Sequence, residues 1–78
     1  MKLTYDPRYN IAYISFRAKT EQVETVSIGE DLNVDVAPDG SIFGIELLNA
    51  NEQLRGGDGG ALVIVNDALG QRQEIPLD

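Results

Sequence analysis

Residues 32 to 48 read LNVDVAPDGSIFGIELL, two alternating runs on either side of the triplet Pro-Asp-Gly. In the first run Leu32, Val34 and Val36 fall on one side and Asn33 and Asp35 on the other. In the second, Phe43, Ile45 and Leu47 oppose Ile42, Gly44, Glu46 and Leu48. A period of two belongs to a strand, because successive side chains leave a pleated backbone on opposite faces. Between the runs, Pro38 presets its own dihedral and Gly40 accepts a positive φ at no steric cost, which makes a tight turn. The unit is therefore a β-hairpin. A hairpin is marginal alone in water, so the rest of the chain must extend it into a sheet.

The remaining segments supply further strands. KLTY puts Leu3 and Tyr5 on one face, DPRYN is a turn, and IAYISF returns with Ala12, Ile14 and Phe16 opposed to Ile11, Tyr13 and Ser15. After the polar stretch RAKTEQ, the run VETVSI offers Val26 and Ile28 as an inward pair, and Gly29, Glu30 and Asp31 turn into Leu32. NANEQLR, residues 49–55, suits one or two helical turns, with Asn49 and Glu52 spaced as in a capping box. GGDGG, residues 56–60, has no side chain able to pack and reads as a joint. Beyond it, ALVIVN, DALG and QRQEI form a second, C-terminal hairpin over residues 61–77 that ends at Pro76. The expected fold is one small domain over residues 1–78, mainly β within the α+β class. It is an antiparallel sheet of consecutive hairpins with one short helix, and the C-terminal hairpin must dock on that sheet or on another chain.

The central hairpin also resembles a calcium loop when its residues are counted. The EF-hand pattern asks for Asp at position 1, oxygen donors at 3 and 5, Gly at 6, an apolar residue at 8 and Glu at 12. From Asp35 the count gives Asp35, Ala37, Asp39, Gly40, Ile42 and Glu46. Ala37 and Phe43 bring no oxygen to positions 3 and 9, and both flanks are strand-like where helices are required. A turn is the better reading, and a cation site of Asp35, Asp39 and Glu46 stays as the alternative. The same Asp35 and Glu46 drawn as a glycosidase-like carboxylate pair would lie on a flat sheet with no cleft. Asp6 and Asn10 with Tyr5 or Tyr13 can be drawn as a small proton-transfer site, but Asp and Asn also punctuate turns as a matter of course. GGDGG lacks the Lys and Ser or Thr of a phosphate-binding loop and precedes a strand.

Absences narrow the function further. The chain has no cysteine and no histidine, which removes disulfides, thiolate and imidazole nucleophile systems and the usual zinc ligands. No constellation of nucleophile, base and orienting group can be read, so the expectation is a protein that is not an enzyme and needs no cofactor. The net charge is −7, and from Glu21 to Gln53 there are eight acidic residues and no basic one. Such a chain repels phosphate backbones, so nucleic acid is not an expected partner, while a basic protein is. MKLTYDPRYN has no apolar stretch of signal-peptide length, and no segment approaches the roughly 20 apolar residues of a membrane span, so a cytoplasmic protein without membrane contact is expected. A chain of this length buries only about 60% of the surface that its unfolded form exposes, which makes a homo-oligomer, a dimer in the simplest case, the expected state.

Two stretches, KLTYDPRYNIAYI and VDVAPDGSIFGIELLNA, together resemble a family of short bacterial proteins known as domain of unknown function 2283. Members open on a hairpin like Y-D-x-x-x-D-A-L-Y-I and carry a second like D-x-D-G-x-[LIV]-x-G-[IL]-E-[IL]. Tyr5, Asp6, Tyr13 and Ile14 match the first, and Asp39, Gly40, Gly44, Ile45, Glu46 and Leu47 the second, within residues 2–50. Asn10 stands where the family tends to have Asp and Ala12 where it tends to have Leu, and the C-terminal hairpin is longer than the usual ending. The resemblance implies a small, mainly β fold with a short helix and brings no established activity. By analogy with relatives encoded beside small toxin-like proteins, it also suggests an antitoxin-like role.

Overall fold

The computed structural model of the chain describes residues 1–18 and 22–77. Among these residues, seven strands, β1 (Lys2–Asp6), β2 (Ile11–Ser15), β3 (Glu24–Ile28), β4 (Leu32–Val36), β5 (Ile42–Leu48), β6 (Ala61–Asn66) and β7 (Gln71–Pro76), accompany one helix, α1 (Ala50–Arg55), and a 3-10 turn at Asp58–Gly60. The architecture is mainly β, as the alternation predicts. Part of the RAKTEQ stretch, with Lys19 to Glu21, lies outside the described residues.

The first five strands form one antiparallel sheet in the order β1-β2-β5-β4-β3. Each hairpin keeps its own partner. The first hairpin then joins the β3-β4-β5 meander through β2 and β5, with Tyr13 opposite Glu46 and Ile14 opposite Ile45. Local patterning does not specify this seam. Between β4 and β5 the register shifts, Asp35 facing Gly44 and Val36 facing Ile42. Phe43 is the extra residue of this bulge, which breaks the simple alternation of the second run. It is 3% exposed and lies under the Arg17 guanidinium, 4.8 Å from the ring centre. That contact joins the chain leaving β2 to the Pro-Asp-Gly turn.

Register fixes the two faces. Leu3, Tyr5, Ala12, Ile14, Ile45, Leu47, Leu32, Val34, Val36, Val26 and Ile28 share one face, with Glu24 at its rim. Thr4, Tyr13, Glu46, Asn33, Asp35, Thr25 and Ser27 belong to the other. Burial is shallow. Among the described residues the buried apolar ones are Ala12, Ala37, Phe43 and Ala50, and most of the apolar face is only half-buried.

α1 closes one end of the sheet rather than covering a face. Asn51 at its start bonds to the carbonyl of Pro7, and Gln53 reaches the carbonyls of Asp31 and Leu48, so the helix bridges the β1-β2 and β3-β4 turns. The expected capping box does not form. Asn49 takes a left-handed backbone with no side-chain cap, and its amide donates to the Glu52 carboxylate at 2.7 Å instead. β6 and β7 form the expected separate hairpin, set against α1 and the 3-10 turn. From Ile64 to Pro76 both of its faces are exposed.

Candidate functional site

The singled-out residues fall into three groups. On the polar face of the sheet, the β2 backbone aims the Tyr13 ring across β5, where Gly44 leaves room for it. A Cβ at Gly44 would stand 2.4 Å from the Tyr13 hydroxyl and 2.7 Å from the carbonyl of Ile14. The hydroxyl thereby reaches β4 and donates to Asp35 at 2.6 Å, and Asp35 also accepts from the Thr25 hydroxyl of β3 at 2.7 Å. Two residues further along the strands, Glu46 accepts from the Asn33 amide at 2.9 Å and Asn33 from the Ser27 hydroxyl at 2.8 Å. Two parallel rows of hydrogen bonds thus cross the sheet, one over four strands and one over three. The Asp35 carboxylate, accepting the phenol proton, together with desolvation and the nearby Glu46 charge, pushes Tyr13 up to about 12. A phenol so held stays protonated at neutral pH. It can donate a hydrogen bond, but it is a poor base.

The second group lies at the end of the sheet and serves the helix. Asn10 sits at φ 58°. Left-handed backbone is one that Asn tolerates better than most residues. In this conformation its carbonyl accepts from the Ala50 N–H at 3.2 Å and its side-chain oxygen from the Asn51 N–H at 2.7 Å, satisfying two donors at the start of α1. The Tyr5 hydroxyl donates to the side-chain oxygen of Asn51. Asp6 turns outward to Arg8, 3.0 Å away, which holds its carboxyl below the usual range. Asn51 thus brings Tyr5 and Asn10 together, whereas Asp6 is held by Arg8 and Tyr13 occupies the opposite face, so the four do not form one site.

The third group is the Pro-Asp-Gly turn. The Asp39 carboxylate accepts from the Ser41 N–H at 2.9 Å and its hydroxyl at 2.6 Å, which lowers its pKa, and Gly40 has φ 89°. Asp35 and Glu46 lie on neighbouring strands of the polar face, while Asp39 is engaged at the turn. Among the described residues no three acidic groups converge as metal ligands.

Asn33, Thr25 and Asn51 were not singled out from sequence, and Asn49 was read only as a helix cap. Asn33 and Asp35 share a side of their strand, so the signal for the first was present. The role of Asn51 becomes visible only when the β1-β2 turn meets it. No helix among the described residues is long and apolar enough to cross a membrane.

No curated protein and no solved structure matches the chain. The model of a family described as "Protein of unknown function (DUF2283)" matches residues 2–51, the stretch that contains the five-stranded sheet and the start of α1, and the chain belongs to that family.

Proposed function

We infer that this chain is a non-catalytic, self-associating interaction module of the cytoplasm. The observation that carries the reading is the surface left open. An accessible area of 5693 Å² for 8.5 kDa compares with roughly 4,700 Å² for a compact monomer of that mass. The radius of gyration, 14.0 Å, likewise exceeds the roughly 11.5 Å of a compact chain of this length. Among the described residues, four buried apolar ones, three of them alanines, are a small core for such a surface. The excess, roughly 1,000 Å², is close to the roughly 800 Å² that each partner contributes to a standard interface.

The polar face supports the non-catalytic part of this reading, because Tyr13, Asp35, Asn33 and Glu46 bond to one another across the sheet. With a net charge of −7, a further protein partner would be basic, and an antitoxin-like role is the form of partner binding that the family analogy favours. Native mass spectrometry of the untagged protein tests the inference. An even-numbered oligomer, alone or with a second protein, is expected, and a bare monomer at micromolar concentration would overturn it.

A further inference from the structure

Resting on that self-association, we propose that the interface is the apolar face of the five-stranded sheet, packed against the same face of a second copy. Val26, Ile28, Leu32, Val34, Ile45 and Leu47 lie side by side across β3, β4 and β5 on this face. Val26 is 43% and Ile28 55% exposed. Sheets that pack face to face interdigitate just such aliphatic rows, about 10 Å apart, to make the core that each lacks alone.

Charge selects the occupant and the face. The polar side carries Asp35 and Glu46, so two copies meeting there would set carboxylates against carboxylates. Among the described strand residues of the apolar side, the charged one is Glu24 at the rim, so a two-fold pairing buries no like charges. The C-terminal hairpin is a weaker candidate. Its exposed Ile64 and Val65 point to opposite faces, and Arg72, Gln73 and Glu74 on β7 interrupt both. The surface excess of the single chain, roughly 1,000 Å², is of the size that one partner contributes to a standard interface.

The chain has no cysteine, so a single introduced thiol reports on its own surroundings. Ile28→Cys, Val26→Cys and Ser27→Cys differ in the face they occupy on one edge strand, and Ile64→Cys monitors the hairpin. Each is alkylated with iodoacetamide while sedimentation equilibrium records the mass. In the oligomer, Ile28→Cys and Val26→Cys are expected to react at least tenfold more slowly than Ser27→Cys and Ile64→Cys, and to lose that protection on dilution to monomer. If the oligomer persists and Ile28→Cys reacts as fast as Ser27→Cys, or if Ile64→Cys is the protected position, this face is not the interface, although self-association stands. Protection in a chain that sediments as a monomer would mean that its own hairpin covers the face, and would overturn the proposal. An unprotected monomer would overturn both the face and the self-association beneath it.

Discussion

Tyr13 and Gly44 show how two residues from separate hairpins act as one device. Asp35 keeps the phenol protonated, so the interaction is fully present below the ordinary tyrosine value of 10.0 and is lost as pH rises through about 12. In an alkaline titration followed by tyrosinate absorbance, a late component near pH 12 is expected. It should vanish in Tyr13→Phe and move to lower pH in Asp35→Asn. Gly44→Ala should cost about 1–3 kcal/mol in urea denaturation, since the new methyl must displace the Tyr13 ring and meets the Ile14 carbonyl as well. Adding Tyr13→Ala should recover only part of that loss, because the carbonyl remains. Alternation alone put Tyr13, Gly44 and Glu46 on strand faces. That the first lies over the second depends on β2 meeting β5, which no local pattern encodes.

Among the elements, strands and turns were legible because their causes are local: period-two alternation, Pro38 with Gly40, and β-branched residues in β2 and β6. The helix was legible in extent but not in its capping, because its acceptors come from the β1-β2 turn. Asn10→Ala is therefore expected to destabilise by about 1–2 kcal/mol, losing the acceptor at the helix start and placing a Cβ residue without a stabilising side chain at positive φ. Asn10→Asp should stay within about 0.5 kcal/mol of the parent, since a carboxylate keeps the acceptor and suits the helix N-terminus. Urea midpoints of the two variants check this. The bulge at Phe43 was missed because an added residue leaves no mark in the composition of either strand.

For the whole molecule, if the chain self-associates as proposed, its small core should make folding and association one equilibrium. If the folded state is a dimer and the separated chain is unfolded, a tenfold dilution should lower the melting temperature by about 4 °C, and scans over two decades of concentration measure it. A melting temperature independent of concentration would count against a coupled transition. The sheet order has a kinetic consequence of its own. The β1-β2 hairpin and the β3-β4-β5 meander each close over short loops, whereas Tyr13 and Glu46 meet only after the intervening chain has paid its loop-closure entropy. The local units can therefore form early and repeatedly, and the β2-β5 seam commits the chain to the sheet. Substitutions along that seam, and those within the β1-β2 turn already formed when it closes, should slow refolding more than they speed unfolding.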